Sequence, residues 1–159
     1  MPDPLTPPDP SNTAHQEPQP SPAQVVERFL EQLRARDIDA AAELLASDVE
    51  YINVGLPTVW GRERVRRLLR ATLGLEGAGF EVYLHTISAD GPRVLTERTD
   101  VMKYRGLRIQ FWVCGRFDVR DGEIVLWRDY FDQLNFWLAT ARGLLGTVLP
   151  VLRAKPPIV

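Results

Sequence analysis

Three charged side chains in the second half of the sequence fall where charge is costly. In the run Thr96-Glu97-Arg98-Thr99-Asp100-Val101-Met102, strand alternation sets Arg98, Asp100 and Met102 on one face and Glu97 and Thr99 on the other. In Leu126-Trp127-Arg128-Asp129-Tyr130-Phe131-Asp132, the same parity places Asp129 between Trp127 and Phe131. A carboxylate flanked by core aromatics needs a partner, and the planar fork of an arginine can serve two carboxylates at once. Arg98, Asp100 and Asp129 therefore make a natural trio. Its chemistry is either that of a buried ion pair fixing strand register or that of carboxyl groups exchanging protons with a bound reactant. Tyr51 and Asn53 also alternate, so a phenol and an amide share one face of an earlier strand, where they can hold a water. Alone, that pair reads equally as a packed ring and a turn amide; its case rests on combination with the trio.

The elements that must position these groups follow from periodicity. From Ala23, Val26, Phe29, Leu30 and Leu33 recur on one helical face. Ile38, Ala41, Ala42 and Leu45 mark a second short helix, after which Ser47 and Asp48 launch a strand through Tyr51 to Asn53, closed by Gly55 and Pro57. A third helix is expected over 61–71, with Val65, Leu68 and Leu69 inward and Arg62, Arg66, Arg67 and Arg70 on a solvated face. The period then shifts to two over 80–88, 94–104, 107–119 and 124–131. The joints Asp90-Gly91, Arg105-Gly106 and Asp121-Gly122 suit tight reversals, so consecutive strands pair antiparallel. The expected fold is α+β: a curved, mixed but mostly antiparallel sheet, three N-terminal helices on one face, and a cone with an open mouth. Over 133–153 a terminal helix is expected, with Leu134, Trp137, Leu138, Ala141, Leu145 and Val148 in a stripe. Asn135, Arg142, Gly143, Gly146 and Pro150 make it a poor bilayer span.

The chain has 159 residues, 45% hydrophobic and 25% charged, which suits one folded domain. Eight of its 13 prolines lie in the first 22 residues, together with Asp3, Asp9 and Glu17 and no Lys or Arg. Residues 1–22 are therefore expected to be a disordered Pro-rich tail, residues 23–153 a single domain, and residues 154–159 a flexible C-terminus. Without the three acids of the tail, the formal net charge of -2 becomes +1, so nucleic acid is not an expected partner. One cysteine, Cys114, excludes an internal disulfide, and two histidines with one thiol make no conventional zinc site. No metal and no cofactor are expected, and Cys114 and His85 read as packing or surface positions. The amino terminus lacks the basic and apolar regions of a signal peptide, so the expected location is cytoplasmic.

Three segments in order, Tyr51-Ile52-Asn53, Glu97-Arg98-Thr99-Asp100 and Trp127 to Asp132, resemble the signature elements of the limonene-1,2-epoxide hydrolases. The resemblance covers approximately residues 25–136. It implies the cone-shaped fold of the NTF2-like, ketosteroid-isomerase-like superfamily. It also implies one-step hydrolysis of a lipophilic epoxide to a vicinal diol by an enzyme-bound water, without metal or covalent intermediate. On that resemblance Asp129 is the general base, Asp100 the general acid and Arg98 the bridge between them, while Tyr51 and Asn53 help to hold the water. A homodimer is implied too, for which Phe117 and Tyr130 are expected to offer an apolar outward sheet face. Counting outward from the trio, Met102, Phe111, Val113 and Phe131, with Leu30 and Leu33 of the first helix, are expected to line the substrate cavity. The stripe on the terminal helix is expected to help hold a bulky, water-insoluble substrate; it is also compatible with peripheral membrane contact. Two rival functions share such a cone: a ketosteroid-isomerase-like or polyketide-cyclase-like enzyme needing a single base, and a non-catalytic lipid-binding module. The bridging arginine and the water clamp count against the first, and three buried polar groups without a task count against the second.

Overall fold

The computed structural model describes residues 19–148. The expected tail as far as Pro18, the last residues from 149 onward and the side chain of Val148 lie outside the described residues. Helix α1 (Pro22–Ala35) begins inside the stretch expected to be irregular. Ser21 accepts from the backbone N–H of Gln24 while its own N–H donates to the Gln24 side chain, and Pro22 takes the first helical position, where no N–H is needed. Helix α2 (Ile38–Glu43) starts at Asp37, which accepts from the N–H of Ala40. Leu45, expected on that helix, instead opens strand β1 (Leu45–Asn53), because it pairs in register with Ile124 of a distant strand.

A two-residue strand, β2 (Val59–Trp60), is followed by α3 (Arg62–Leu73), β3 (Ala78–Asp90), β4 (Arg93–Tyr104), β5 (Leu107–Arg120), β6 (Glu123–Tyr130) and α4 (Gln133–Val148). The sheet order is β2-β1-β6-β5-β4-β3. Every pairing is antiparallel except β1 with β6. Arg105 and Gly106, and Asp121 and Gly122, all have positive φ, as two-residue hairpin turns of the strands' own twist require. In the first hairpin Asp90 pairs with Arg93, so the reversal is made by Gly91 and Pro92 rather than by Asp90 and Gly91.

Helices α1 and α3 pack their buried residues against the sheet in one core. Phe29 lies edge-on to Trp127, with ring centroids 4.9 Å apart, and to Phe117 at 6.2 Å. Phe117 is therefore in the core and fully buried, not on an outward face; Tyr130, one strand parity away, is exposed. Of the arginines expected on a solvated face of α3, Arg67 and Arg70 are exposed and Arg62 and Arg66 are half-buried. Arg62 bonds Glu43 and Glu123, Arg66 bonds Glu43, and Arg70 bonds Asp39, joining α3 to α2 and to the start of β6.

Helix α4 reverses the expected facing. Ala139, Gly143 and Gly146 are its buried residues, and a Cβ at Gly143 would meet the backbone of Arg108 at 2.5 Å. Small residues let α4 press against β5, which turns the bulky stripe away: Leu134, Trp137 and Leu138 are about 60% exposed or more (66%, 64% and 59%). No helix among the described residues is long and apolar enough to cross a membrane.

Because Phe29 wedges α1 between two sheet aromatics, Phe29→Ala is expected to lower the unfolding free energy by about 3–5 kcal/mol. Urea denaturation followed by tryptophan fluorescence measures it, and a loss under about 1 kcal/mol would show that the helix does not depend on this contact.

Candidate active site

Strand parity and register bring the expected trio together. Arg98 and Asp100 stand two residues apart on β4, and Asp129 stands on β6, with β5 between them. On the far side of β6, the parallel pairing sets Asn53 opposite Asp129 and Tyr51 opposite Trp127. Arg98 Nε donates to Asp100 Oδ1 at 3.0 Å, and Nη2 donates to Asp129 Oδ2 at 2.7 Å. The remaining arm, Nη1, donates to Thr96 Oγ1 at 3.2 Å, a contact that strand parity placed on the right face but that was not anticipated. Arg98 is 1% exposed, and Asp100 and Asp129 are each 4% exposed. Asn53 Nδ2 donates to the Tyr51 hydroxyl oxygen at 2.6 Å, and the Tyr51 ring lies over Trp127 with centroids 4.0 Å apart.

Fully ionised, this group would hold two negative charges against one positive charge away from water. Burial pushes the Asp100 carboxyl up from 3.8 to about 6, against the pull of Arg98 and with the added repulsion of Asp129. Burial opposes the charge on Arg98 too, yet the two carboxylates outweigh it and hold the guanidinium above its ordinary value. Burial and the charge of Asp129 push the Tyr51 phenol far up, so it stays a neutral O–H donor. Asp129 uses only one oxygen for Arg98. Its Oδ1 is buried without a hydrogen-bond partner, an arrangement that costs free energy unless a ligand or water supplies the proton.

Asp100, Asp129, Tyr51 and Asn53 border one cavity of about 310 Å³, at the small end of the roughly 300–1,000 Å³ of small-molecule pockets. Leu33, Met102, Phe111, Val113 and Phe131 line it as expected. Leu30 does not: it is packed in the core and borders a different hollow lined by α1 and β3. That hollow is larger, about 880 Å³, but it is an open groove bordered by Glu27, Glu31, Arg34 and Lys103 and includes none of the trio. Sequence reasoning missed Leu56, Leu68, Leu69, Thr72, Leu73, Phe80 and Phe136 as cavity lining. A signal existed for two of them: Leu69 and Leu73 sit four apart on the inner face of α3. Phe136 is the contribution of α4 to this cavity, packed on Phe111 and Phe131 at 5.0 and 5.8 Å. His85 bonds Thr99 through Nε2 at 2.9 Å, and Cys114 is half-buried; neither borders the cavity. No three metal-ligating side chains come together among the described residues.

Residues 20–142 match the family model described as the limonene-1,2-epoxide hydrolase catalytic domain. The chain is 48% identical over 129 residues to a Mycobacterium tuberculosis protein named epoxide hydrolase EphG, spanning 81% of this chain and 85% of that one. It superposes with a TM-score of 0.79 on the structure of an LEH-like epoxide hydrolase of Mycobacterium tuberculosis, at 46% identity, over 85% of this chain and 95% of that one. A Catenulispora acidiphila protein with a ketosteroid isomerase-like fold shares the fold alone, at 18% identity and a TM-score of 0.67, over 77% and 95% of the two chains.

The raised carboxyl of Asp100 makes stability depend on pH. A group whose pKa is higher folded, about 6, than unfolded, 3.8, contributes stability that is lost as the pH rises through that interval. The loss is about 3 kcal/mol. Asp100→Asn keeps an oxygen for Arg98 and removes the titration. Its unfolding free energy relative to the wild type is expected to improve between pH 4 and pH 7; an unchanged difference in urea curves at the two pH values would mean that Asp100 titrates as an ordinary carboxyl.

Proposed function

The chain belongs to the limonene-1,2-epoxide hydrolase family, and on that footing we propose that it hydrolyses a lipophilic epoxide to a vicinal diol in one step, by attack of a water that Asp129 deprotonates. The observation that carries this reading is the buried, unpartnered Oδ1 of Asp129, bordering a cavity whose charged lining consists of Asp129 and Asp100.

The hydrogen bonds of the neighbouring Tyr51 and Asn53 support a bound water at this oxygen. Asn53 spends its N–H on Tyr51, which leaves its carbonyl oxygen to accept and the Tyr51 O–H to donate. A water here gives one proton to Asp129 Oδ1 and one to the Asn53 oxygen, and accepts from Tyr51. One lone pair remains, and it is the nucleophile. As this lone pair forms the C–O bond, Asp129 takes the proton and the epoxide C–O bond breaks. Asp100, protonated, donates to the departing oxygen. A proton lost from Asp129 and one regained by Asp100 restore the starting state. Each positioned proton transfer contributes about 10²- to 10⁴-fold, and orientation of the water adds to it.

Beyond its polar side the cavity is formed by leucines, Met102, Val113, aromatic rings and Thr72, whose hydroxyl bonds the backbone of its own helix. A hydrocarbon substrate gains roughly 25 cal/mol for each Å² buried there, whereas a charged one would lose its hydration. The substrate is therefore a lipophilic epoxide, and a skeleton too large for the cavity extends out past Leu56 and Leu68, which border the cavity and are partly exposed. The outward stripe of α4 plays no part in this enclosure. A second copy of the chain is the occupant we assign to the exposed apolar surface of Trp112, Tyr130 and that stripe.

Asp129→Asn and Asp100→Asn should each lower kcat for a lipophilic epoxide by about 10²- to 10⁴-fold with the fold intact. In the wild type kcat/KM should fall as the pH rises through about 6, where Asp100 loses its proton. A single turnover in water labelled with oxygen-18 should yield labelled diol; unlabelled diol from that first turnover would establish a covalent ester and overturn the direct attack. Sedimentation velocity at micromolar concentration should give a dimer, and a monomer would refute the assigned occupant.

A further inference from the structure

We propose that Gly115 and Thr96, neither of which borders the cavity, are positioning residues of this site: together they open and hold the path by which Arg98 crosses β5 to reach Asp129. What they position rests on the hydrolase reading above; that they position Arg98 rests on geometry alone.

Register puts Thr96, Gly115 and Asp129 in one row across β4, β5 and β6. Arg98 lies two residues along β4 from Thr96, on the same face. Strands are spaced by about 4.8 Å, so its side chain must span roughly 10 Å over the intervening strand. Nothing can rise from β5 in its way. A Cβ at Gly115 would overlap Arg98 Nη1 and would stand 2.6 Å from Thr96 Oγ1 and 3.0 Å from Phe117 Cε2. The far end of an arginine usually yields to such a contact, but this one is buried and held on three sides, so what would move is the fork that joins the two carboxylates. Glycine in the middle of a strand is otherwise unfavourable. Gly115 is not among the positive-φ glycines, so its backbone would accept any residue and the requirement is for space.

Thr96, 2% exposed, completes the arrangement. Its hydroxyl donates toward the Gly115 carbonyl at 3.5 Å and accepts from Arg98 Nη1 at 3.2 Å. Nε and Nη2 share the opposite edge of the guanidinium, so anchoring Nη1 apportions that edge, one donor to Asp100 and one to Asp129. Without the anchor the same edge is free to turn away from Asp100 and pair both donors with Asp129, whose Oδ1 has no partner.

Thr96→Val keeps the shape and removes the acceptor. In the full-length protein it should lower kcat for a lipophilic epoxide by roughly tenfold, the size of a lost hydrogen bond to a charged group, with KM unchanged because Thr96 does not touch the substrate. The titration midpoint of the Asp100 carboxyl, read by carbon-13 NMR, should rise as the Arg98 charge loosens. Thr96→Ser should restore both values. Gly115→Ala should lower kcat by about 100-fold, the effect of an ångström-scale misplacement. If Gly115→Ala does not fold, Thr96→Val decides. A Thr96→Val protein with wild-type kcat and an unmoved Asp100 midpoint would overturn the proposal, as would a Thr96→Ser protein no better than Thr96→Val. If the wild type turns over no epoxide, the hydrolase reading fails, and the NMR midpoint in Thr96→Val still judges the positioning: a rise supports it and no change refutes it.

Discussion

A guanidinium in an apolar core is tolerated only where its charge is matched and its donors are engaged. Arg98, the largest fully buried side chain among the described residues, meets that demand with two carboxylates and a hydroxyl drawn from β4 and β6. The demand runs outward into the sheet. Strands β4, β5 and β6 must keep their register to within one residue, since a slip would turn every one of these side chains to the opposite face. The strand between must carry glycine at the crossing, and α1 and α3 must exclude the water that would otherwise screen the group.

The same constraint produces the chemistry. One positive and two negative charges cannot all be comfortable together away from solvent, and the least costly adjustment is a proton on Asp100. Arg98 favours charge on both partners, while burial and their mutual repulsion act against it and raise the carboxyl of Asp100. In the proposed mechanism an acid and a base of the same residue type are set apart by their surroundings. The unpartnered oxygen on Asp129 is a further cost to the free protein, one that any hydrogen-bond donor reaching it would relieve.

The helices shape what reaches that centre. Leu33 from α1, with Leu69 and Leu73 from α3, meets aromatics of the sheet in a cavity whose carboxylates stand together with Tyr51 and Asn53, with Thr72 a further polar residue in its lining. Helix α4 touches this cavity through Phe136 and otherwise lies on β5 through its smallest residues. Its bulky side chains are left to the outside because a helix that approaches a strand closely can present only alanine and glycine to it.

Much of the site is legible in the sequence. Alternation assigns Arg98 with Asp100, Asp129 between aromatics, and Tyr51 with Asn53, and the glycine-bearing turns imply the hairpins that bring β4, β5 and β6 side by side. These are local properties: side-chain parity and turn conformation follow from backbone stereochemistry within a few residues. Other features depend on partners remote in the chain. The parallel pairing of β1 with β6, which sets Asn53 beside Asp129, joins segments more than seventy residues apart. It also takes Leu45 out of a helix. The stripe on α4 has the right period for burial, yet period cannot say which face is buried when small residues on the other side permit a closer approach. Phe117 and Leu30 likewise acquire their places from what packs against them. The proton on Asp100 and the need for glycine at 115 arise only when distant charges and strands share one small volume, where desolvation and steric exclusion act between residues that the sequence keeps apart.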